Sequence, residues 1–198
     1  MINQPSQKNP PVVLAVTGAS GAIYARRLLE WLGTEGVPVH LVLSSAAEEV
    51  IGLELGQAAP EWDRPGVIRH DIGDFAAPIA SGSFRHRGMV ICPCTMGTLA
   101  AVAHGISLNL IHRAADVTLK ERRALIIVPR ENPLSAIHLE NMLILARAGA
   151  AIIPAMPSYY SRPRTVEEVA DTVVGRIIDA LGMSHALYQP WEGIFSKP

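Results

Sequence analysis

Five consecutive apolar residues, Val12–Val16, run directly into Thr17-Gly18-Ala19-Ser20-Gly21 and then into a helix-forming stretch. A β-branched run without polar alternation marks a strand buried on both faces, the kind found in parallel sheets covered by helices. The pattern repeats. Val37–Leu43 leads into Ser44-Ser45, Met89–Cys92 into Pro93-Cys94-Thr95-Met96-Gly97-Thr98, Ala124–Val128 into Pro129–Ser135, and Ala150–Ile153 into a loop over Pro154–Pro163. A short strand is expected near Val67–Arg69, inside an otherwise irregular, Pro- and Gly-containing stretch. Helices are expected over Ala22–Leu32, Ala46–Leu55, the segment ending at Ala103, Asn109–Arg122, Ile137–Ala148 and from Thr165 to Leu181. In the last of these, Val166, Val169, Ala170, Val173, Val174, Ile177, Ile178 and Leu181 fall on one face at helical spacing. Thr165 followed three residues later by Glu168 has the form of a capping box. Strands alternating with helices predict a three-layer, doubly wound α/β fold with a mainly parallel sheet.

The 198-residue length suits one domain, expected over residues 12–182, with a flexible arm at 1–11 and a tail at 183–198. Lys and Arg number 17 against 18 Asp and Glu, a net charge of −1, which removes the electrostatic case for nucleic-acid binding. Mean hydropathy is +0.24. No uncharged apolar run nevertheless reaches the length that a membrane-spanning helix needs. The apolar surplus therefore points to burial between subunits, and a tail carrying Trp191 and Phe195 is expected to pack on a neighbouring one. Cys92 and Cys94 are too few for a disulfide framework, and they and the 7 His residues show no metal-ligand spacing. With a polar, non-signal-like start, a cytoplasmic protein without a metal is expected.

In such a sheet, ligands bind beyond the carboxyl ends of the strands. The Gly18–Gly21 turn lets backbone approach an anion at a new helix N-terminus. Tyr24 stands where a dinucleotide fingerprint needs its third glycine, and the second strand ends in Leu43-Ser44 with no acid for a ribose. These features disfavour a nicotinamide cofactor; small hydroxyls suit a single phosphate or a flavin edge. Ser44 and the Thr95-Met96-Gly97-Thr98 turn offer further donors, though both also serve as helix caps. Arg130 and Glu131 after a buried strand pair a phosphate clamp with a proton donor, or form a surface ion pair in a turn. Arg113 and Lys120, two turns apart, share a helix face that is either functional or merely solvated. His138 and Glu140, near a helix start, read as capping and supporting residues.

Taken in order, Thr-Gly-Ala-Ser-Gly at Thr17, Ala-Ser-Gly-Ser at Ala80, Cys-Pro-Cys-Thr-Met-Gly-Thr at Cys92, Arg-Ala-Ala-Asp-Val at Arg113, Leu-Lys-Glu-Arg-Arg at Leu119, Val-Pro-Arg-Glu at Val128 and His-Leu-Glu-Asn-Met at His138 resemble the UbiX-like flavin prenyltransferases. The resemblance runs from about Val12 to Leu181. It implies a flavodoxin-like Rossmann architecture, a homo-oligomer, specifically a dodecamer, and a metal-independent transfer. The implied reaction joins a dimethylallyl group from dimethylallyl phosphate to N5 of reduced FMN, closes a ring onto C6, and passes prenylated FMN to a UbiD-type decarboxylase.

The resemblance also implies site roles. Gly18, Ala19, Ser20, Ser44, Thr95, Met96, Gly97, Thr98 and Arg113 look like FMN contacts. Ser20 and Glu54 look like the pair that moves a proton near N5. Ser81, Gly82, Lys120, Arg130, Glu131, Tyr160 and Arg176 look like the dimethylallyl phosphate site, with Lys120 and Glu131 taking part in the chemistry. Lys120, Arg130 and Arg176 would stabilise the leaving phosphate, Glu131, kept protonated by burial, would donate to it, and Tyr160 and Trp191 would wall the allyl group. His112 departs from the glutamate that a family relative carries there, which puts a local ion pair in doubt. Two alternatives stand beside this reading: an FMN-dependent cysteine-type oxidative decarboxylase on a related fold, and a non-catalytic flavin carrier.

Overall fold

The computed structural model describes residues 9–191 and 193. Six parallel strands form one sheet: β1 (Val12–Val16), β2 (Val39–Leu43), β3 (Val67–His70), β4 (Gly88–Cys94), β5 (Ala124–Pro129) and β6 (Ala151–Ile152), in the order β3-β2-β1-β4-β5-β6. The helices are α1 (Ala22–Thr34), α2 (Ser45–Leu55), α3 (Met96–Ala103), α4 (Leu110–Lys120), α5 (Ala136–Arg147) and α6 (Val166–Ala180). This is the expected doubly wound architecture, and the chain order reverses between β1 and β4, the switch point at whose carboxyl edge such sheets bind ligands. Most of the arm expected at 1–11 lies outside the described residues; its last residue, Pro11, is buried, and its carbonyl accepts from Arg87 N–H.

Alternate strand residues supply two separate cores. Val12, Leu14 and Val16 pack under α1 and α6 with Leu28, Leu29, Val174 and Ile178, whereas Val13 and Ala15 pack under α3 and α4 with Leu99, Leu110 and Ile111. Each fully buried Leu or Ile contributes about 1.5–3 kcal/mol relative to exposure. The two cysteines break the alternation. Cys92 keeps its place in the first core, like Val90, but a register shift of β4 against β5 between Ile91 and Cys94 accompanies the turn of Cys94 into the second, and both are free. Burial pushes both thiols up, so they are inert packing groups.

Element boundaries differ from expectation by a residue or two. β2 begins at Val39, because Val37 N–H is bonded to the Leu32 carbonyl of α1 and Pro38 has no N–H, and β4 extends through Cys94, which leaves Thr95 alone as the turn before α3. Asn109 is the cap of α4 and not its first turn, its side chain accepting from His112 N–H. Ser135 and His138 form a full capping box on α5, in keeping with the capping reading of His138. The box expected at Thr165 is only half made: Thr165 accepts from Glu168 N–H, but the Glu168 carboxylate reaches back one residue further, to Arg164 N–H. Val166 is 67% exposed, so the buried face of α6 starts at Val169 and Ala170.

Candidate functional site

Five helices are capped by the residue just before them: Ser44, Thr95, Asn109, Ser135 and Thr165 each accept a backbone N–H. Helix α1 differs. Its cap is Gly21, whose positive φ lies in the left-handed region, and no local side chain serves it. The carboxylate of Glu54, from the end of α2, accepts instead from Gly21 N–H at 2.9 Å and Ala22 N–H at 2.8 Å. The anion expected at this helix start is thus supplied by the chain itself, where the positive end of the helix favours it. Partial burial disfavours the charged form of Glu54, but hydrogen bonds from Ser20, Gly21 and Ala22 outweigh it, and Arg130 adds attraction; together they hold the carboxyl below the usual glutamate range.

Ser20 and Glu54, from different elements, are therefore in contact, with Arg130 facing them from the end of β5. Tyr24 joins this group. A Cβ on Gly21 would lie 2.9 Å from the Tyr24 ring, so the phenol covers the helix start. Burial raises the Tyr24 pKa, the acidic groups Cys92, Tyr159 and Glu54 add to that, and Arg130 opposes it. In sequence, Tyr24 serves only to exclude a dinucleotide; its place just after the glycine turn is the available sign of a ring over the site.

Ser44 and Thr95 sit at the carboxyl ends of β2 and β4, half-buried, each capping its own helix. Thr95 also donates its hydroxyl to Thr98 Oγ1 at 3.0 Å. Gly18 packs so closely on α2 that a Cβ would lie 2.4 Å from Ala46 Cβ, which brings Ser44 beside the Gly18–Ser20 turn. Ala19 and Met96 are buried, and Gly97 is exposed.

The other expected residues stand elsewhere. Arg113 donates to the Ala80 carbonyl and pairs with Asp116 at 3.0 Å, and Arg123 donates to the Gly82 and Phe84 carbonyls at 2.7 Å. These bonds pin the Ser81–Gly82 loop to α4. Lys120 pairs with Glu121 at 2.8 Å, and its ammonium lies 3.1 Å from where a Gly82 Cβ would be. Lys120, Arg123 and Gly82 are at the amino edge of the sheet, just before β5, whereas Arg130 follows the last residue of β5, and Arg113 lies near the other end of α4. The full length of that strand, six residues, separates the two edges.

Arg176, near the end of α6, is exposed and pairs with Asp179 at 3.0 Å. The Arg176 charge acts on the Tyr188 phenol, and the Tyr188 and Trp191 rings lie 6.5 and 5.8 Å from Tyr160. The tail, expected on a neighbouring subunit, folds first on its own α6: a Cβ on Gly175 would lie 2.3 Å from Tyr188 and 2.5 Å from His185. Phe195 lies outside the described residues. Tyr188 is missed in the sequence because nothing there shows that the tail doubles back. Glu131, expected to be buried, is exposed, and its carboxylate accepts from Asn132 N–H. His112 is buried with Nδ1 lacking a partner among the described residues, so the ion pair a glutamate would make there is not reproduced.

A flavoprotein family matches residues 2–178. The flavin prenyltransferase UbiX of Alkalihalophilus pseudofirmus is 49% identical over 190 residues, 91% of this chain and 95% of that protein. The chain belongs to the UbiX flavin prenyltransferases. It is a prenyl-transferring enzyme by family, which favours that reading over the cysteine-type decarboxylase and the flavin carrier. Among solved structures, AnUbiX (PadA1) in complex with FMN and dimethylallyl pyrophosphate has a TM-score of 0.91 at 43% identity, covering 94% of this chain and 99% of that one. A dodecameric FMN-dependent UbiX-like decarboxylase from Escherichia coli O157:H7 has a TM-score of 0.89 at 44% identity, covering 92% of this chain and all of that one. Among the described residues no group of three or more His, Cys, Asp or Glu side chains is placed to hold a metal, and no helix is long and apolar enough to cross a membrane.

Proposed function

We propose that this protein transfers a dimethylallyl group from dimethylallyl phosphate to reduced FMN, and that its substrate site is completed across a subunit boundary. The observation that carries the proposal is the meeting of Ser20, Glu54 and Arg130 at the β1–β4 switch point. The donor set there fits a flavin: the Gly18–Ser20 backbone and the Ser44, Thr95 and Thr98 hydroxyls are uncharged groups beside the Arg130 cation, suited to a ring edge and one phosphate. Met96, Gly97 and Arg113 complete the FMN contacts in this reading. Reduced FMN would supply a nucleophilic nitrogen, N5, which gives up its proton as the new bond forms, and then the ring carbon C6, which loses its proton on closure while the prenyl double bond gains one, so that the transfer needs no oxidant.

The chain's own residues do the rest. Ser20 relays the proton released from N5 to Glu54, whose carboxylate is held ionised by the α1 amides and is ready to accept it. As the allylic carbon–oxygen bond breaks, the electron pair leaves with the phosphate. Arg130 of one chain, with Lys120 and Arg176 supplied by neighbouring copies, stabilises that developing charge in a site closed from water. Glu131, exposed in the single chain, becomes buried at the same boundary and donates a proton to the leaving phosphate. Ser81 and Gly82 accompany Lys120, and Tyr160 with Trp191 wall the allyl group. The placement of Lys120 and Arg130 at opposite ends of β5 within one chain supports a site drawn from more than one copy. A homo-oligomer, in particular a dodecamer, satisfies this, and the reactive product passes to a UbiD-type decarboxylase.

Anaerobic incubation of the protein with reduced FMN and dimethylallyl phosphate, followed by mass analysis of the flavin, tests the proposal. A gain of one prenyl unit is expected, and unchanged flavin contradicts it. Dimethylallyl pyrophosphate run in parallel identifies the donor; faster turnover of the pyrophosphate contradicts the monophosphate assignment.

A further inference from the structure

Thr17, just beyond the end of β1, is 3% exposed. Its hydroxyl donates to the Pro93 carbonyl at 2.9 Å and accepts from Thr95 N–H at 2.8 Å. Its own N–H also reaches the Pro93 carbonyl, at 3.2 Å. The hydroxyl thus acts as donor and acceptor at once, tying two nearby backbone groups across from β1.

The place matters because the backbone ladder lapses there. β1 and β4 pair in register only as far as Ala15 with Ile91, β4 shifts register against β5 before Cys94, and Pro93 has no N–H to give. The Thr17 side chain adds two hydrogen bonds to the one backbone bond that remains there. On one side of it, Thr95 caps α3 and orients Thr98. On the other, the Gly18–Ser20 turn is wedged against Ala46.

We infer that Thr17 is a positioning residue for the flavin: it fixes the separation of the Gly18–Ser20 and Thr95–Thr98 turns, the two sides of the FMN cradle. This rests on the FMN reading above. The hydroxyl touches no reacting atom, so its loss acts on flavin affinity and on KM for reduced FMN, and leaves kcat at saturation nearly unchanged.

The test uses the full chain freed of flavin. FMN affinity is measured by fluorescence quenching, beside the melting temperature, for Thr17→Val, Thr17→Ser and the core control Val13→Ala. Thr17→Val keeps the shape and is expected to weaken FMN binding about tenfold or more, whereas Thr17→Ser keeps the hydroxyl and stays within about twofold of wild type. Val13→Ala is expected to lower the melting temperature without moving FMN affinity. Amide exchange at Thr95 in the wild-type chain, which does not depend on any variant folding, is expected to be as slow as in the middle of β4. Unimpaired FMN binding by Thr17→Val, equal losses for Val and Ser, an affinity loss in Val13→Ala matching that of Thr17→Val, or rapid exchange at Thr95 would each overturn the inference. Wild-type protein that takes up no FMN contradicts the flavin reading itself, and this inference with it.

Discussion

At the carboxyl edge of the sheet, Ser20 from the β1 turn, Glu54 from the end of α2 and Arg130 from the end of β5 converge within one chain. At the amino edge, Arg123 holds the Gly82 carbonyl beside Lys120, and Lys120 is matched only by its neighbour Glu121 among the described residues. The first group is poised: its carboxylate is hydrogen-bonded and its charge is set. The second is, on the proposed function, a half-site: Lys120, at the end of α4, is exposed beside a loop pinned by Arg113 and Arg123. An exposed cation beside a pinned loop suits a surface meant to meet another copy. On the proposed function, the difference assigns flavin binding and proton handling to one chain and completion of the phosphate site to the assembly.

The largest expected effects separate these two functions. Lys120→Ala and Arg130→Ala are each expected to lower prenyl transfer on the order of 10²–10³-fold, as for loss of a group that stabilises developing charge. FMN binding should persist in both, as read by flavin fluorescence. Full activity in either variant would break the comparison. Glu54→Gln comes next. It is expected to slow turnover about 10²-fold through loss of the proton acceptor and to cost about 1 kcal/mol through a weakened α1 cap, as read by kinetics and denaturant unfolding. Its stability arm has a definite sign: the native carboxyl is held below its ordinary range, so this contribution is present above that range and disappears as pH falls through the native value.

How much of this is readable in advance divides along the same line. Strands buried on both faces show as unbroken apolar runs, so β1 and β5 are legible almost to the residue. The turns after them are legible too, because glycine and hydroxyls cluster there. What the sequence hides is contact between distant segments. Nothing in Glu54 shows that it caps a helix that begins far earlier, at Ala22, and nothing in Thr17 distinguishes a structural hydroxyl from the donors beside it. The fold-back of the tail depends on bare backbone at Gly175, which lies off the apolar face that the spacing of α6 shows. The separation of Lys120 from Arg130 follows from topology, since a residue before a strand and one after it lie at opposite edges.

Smaller effects probe regions beside each edge. Gly175→Ala is expected to displace His185 and Tyr188 and to destabilise the fold by about 1–3 kcal/mol, seen as a lower melting temperature. If Tyr188 orients Arg176, the same variant should raise KM for the prenyl donor more than it changes FMN affinity. The smallest effect lies beside the second core. His40 and His70 share a 2.7 Å contact between Nδ1 and Nε2, and burial, together with the neighbouring His70 and His86, lowers the His40 pKa to about 4. A depressed histidine contributes stability above its ordinary value near 6.5 and loses it as pH falls towards 4. His40→Asn should flatten the melting temperature across that window, and an unchanged slope would exclude the pair as its cause.

Mixing the two inactive chains tests the central claim most directly. Lys120→Ala and Arg130→Ala proteins are dissociated, combined and reassembled, and prenyl transfer to reduced FMN is measured against each variant reassembled alone. If the two cations at a site come from different copies, mixed assemblies contain some sites in which both are intact, and activity returns to a substantial fraction of wild type. Activity no higher than that of the separate variants, in assemblies shown to contain both chains, would place both cations on one chain and contradict the account.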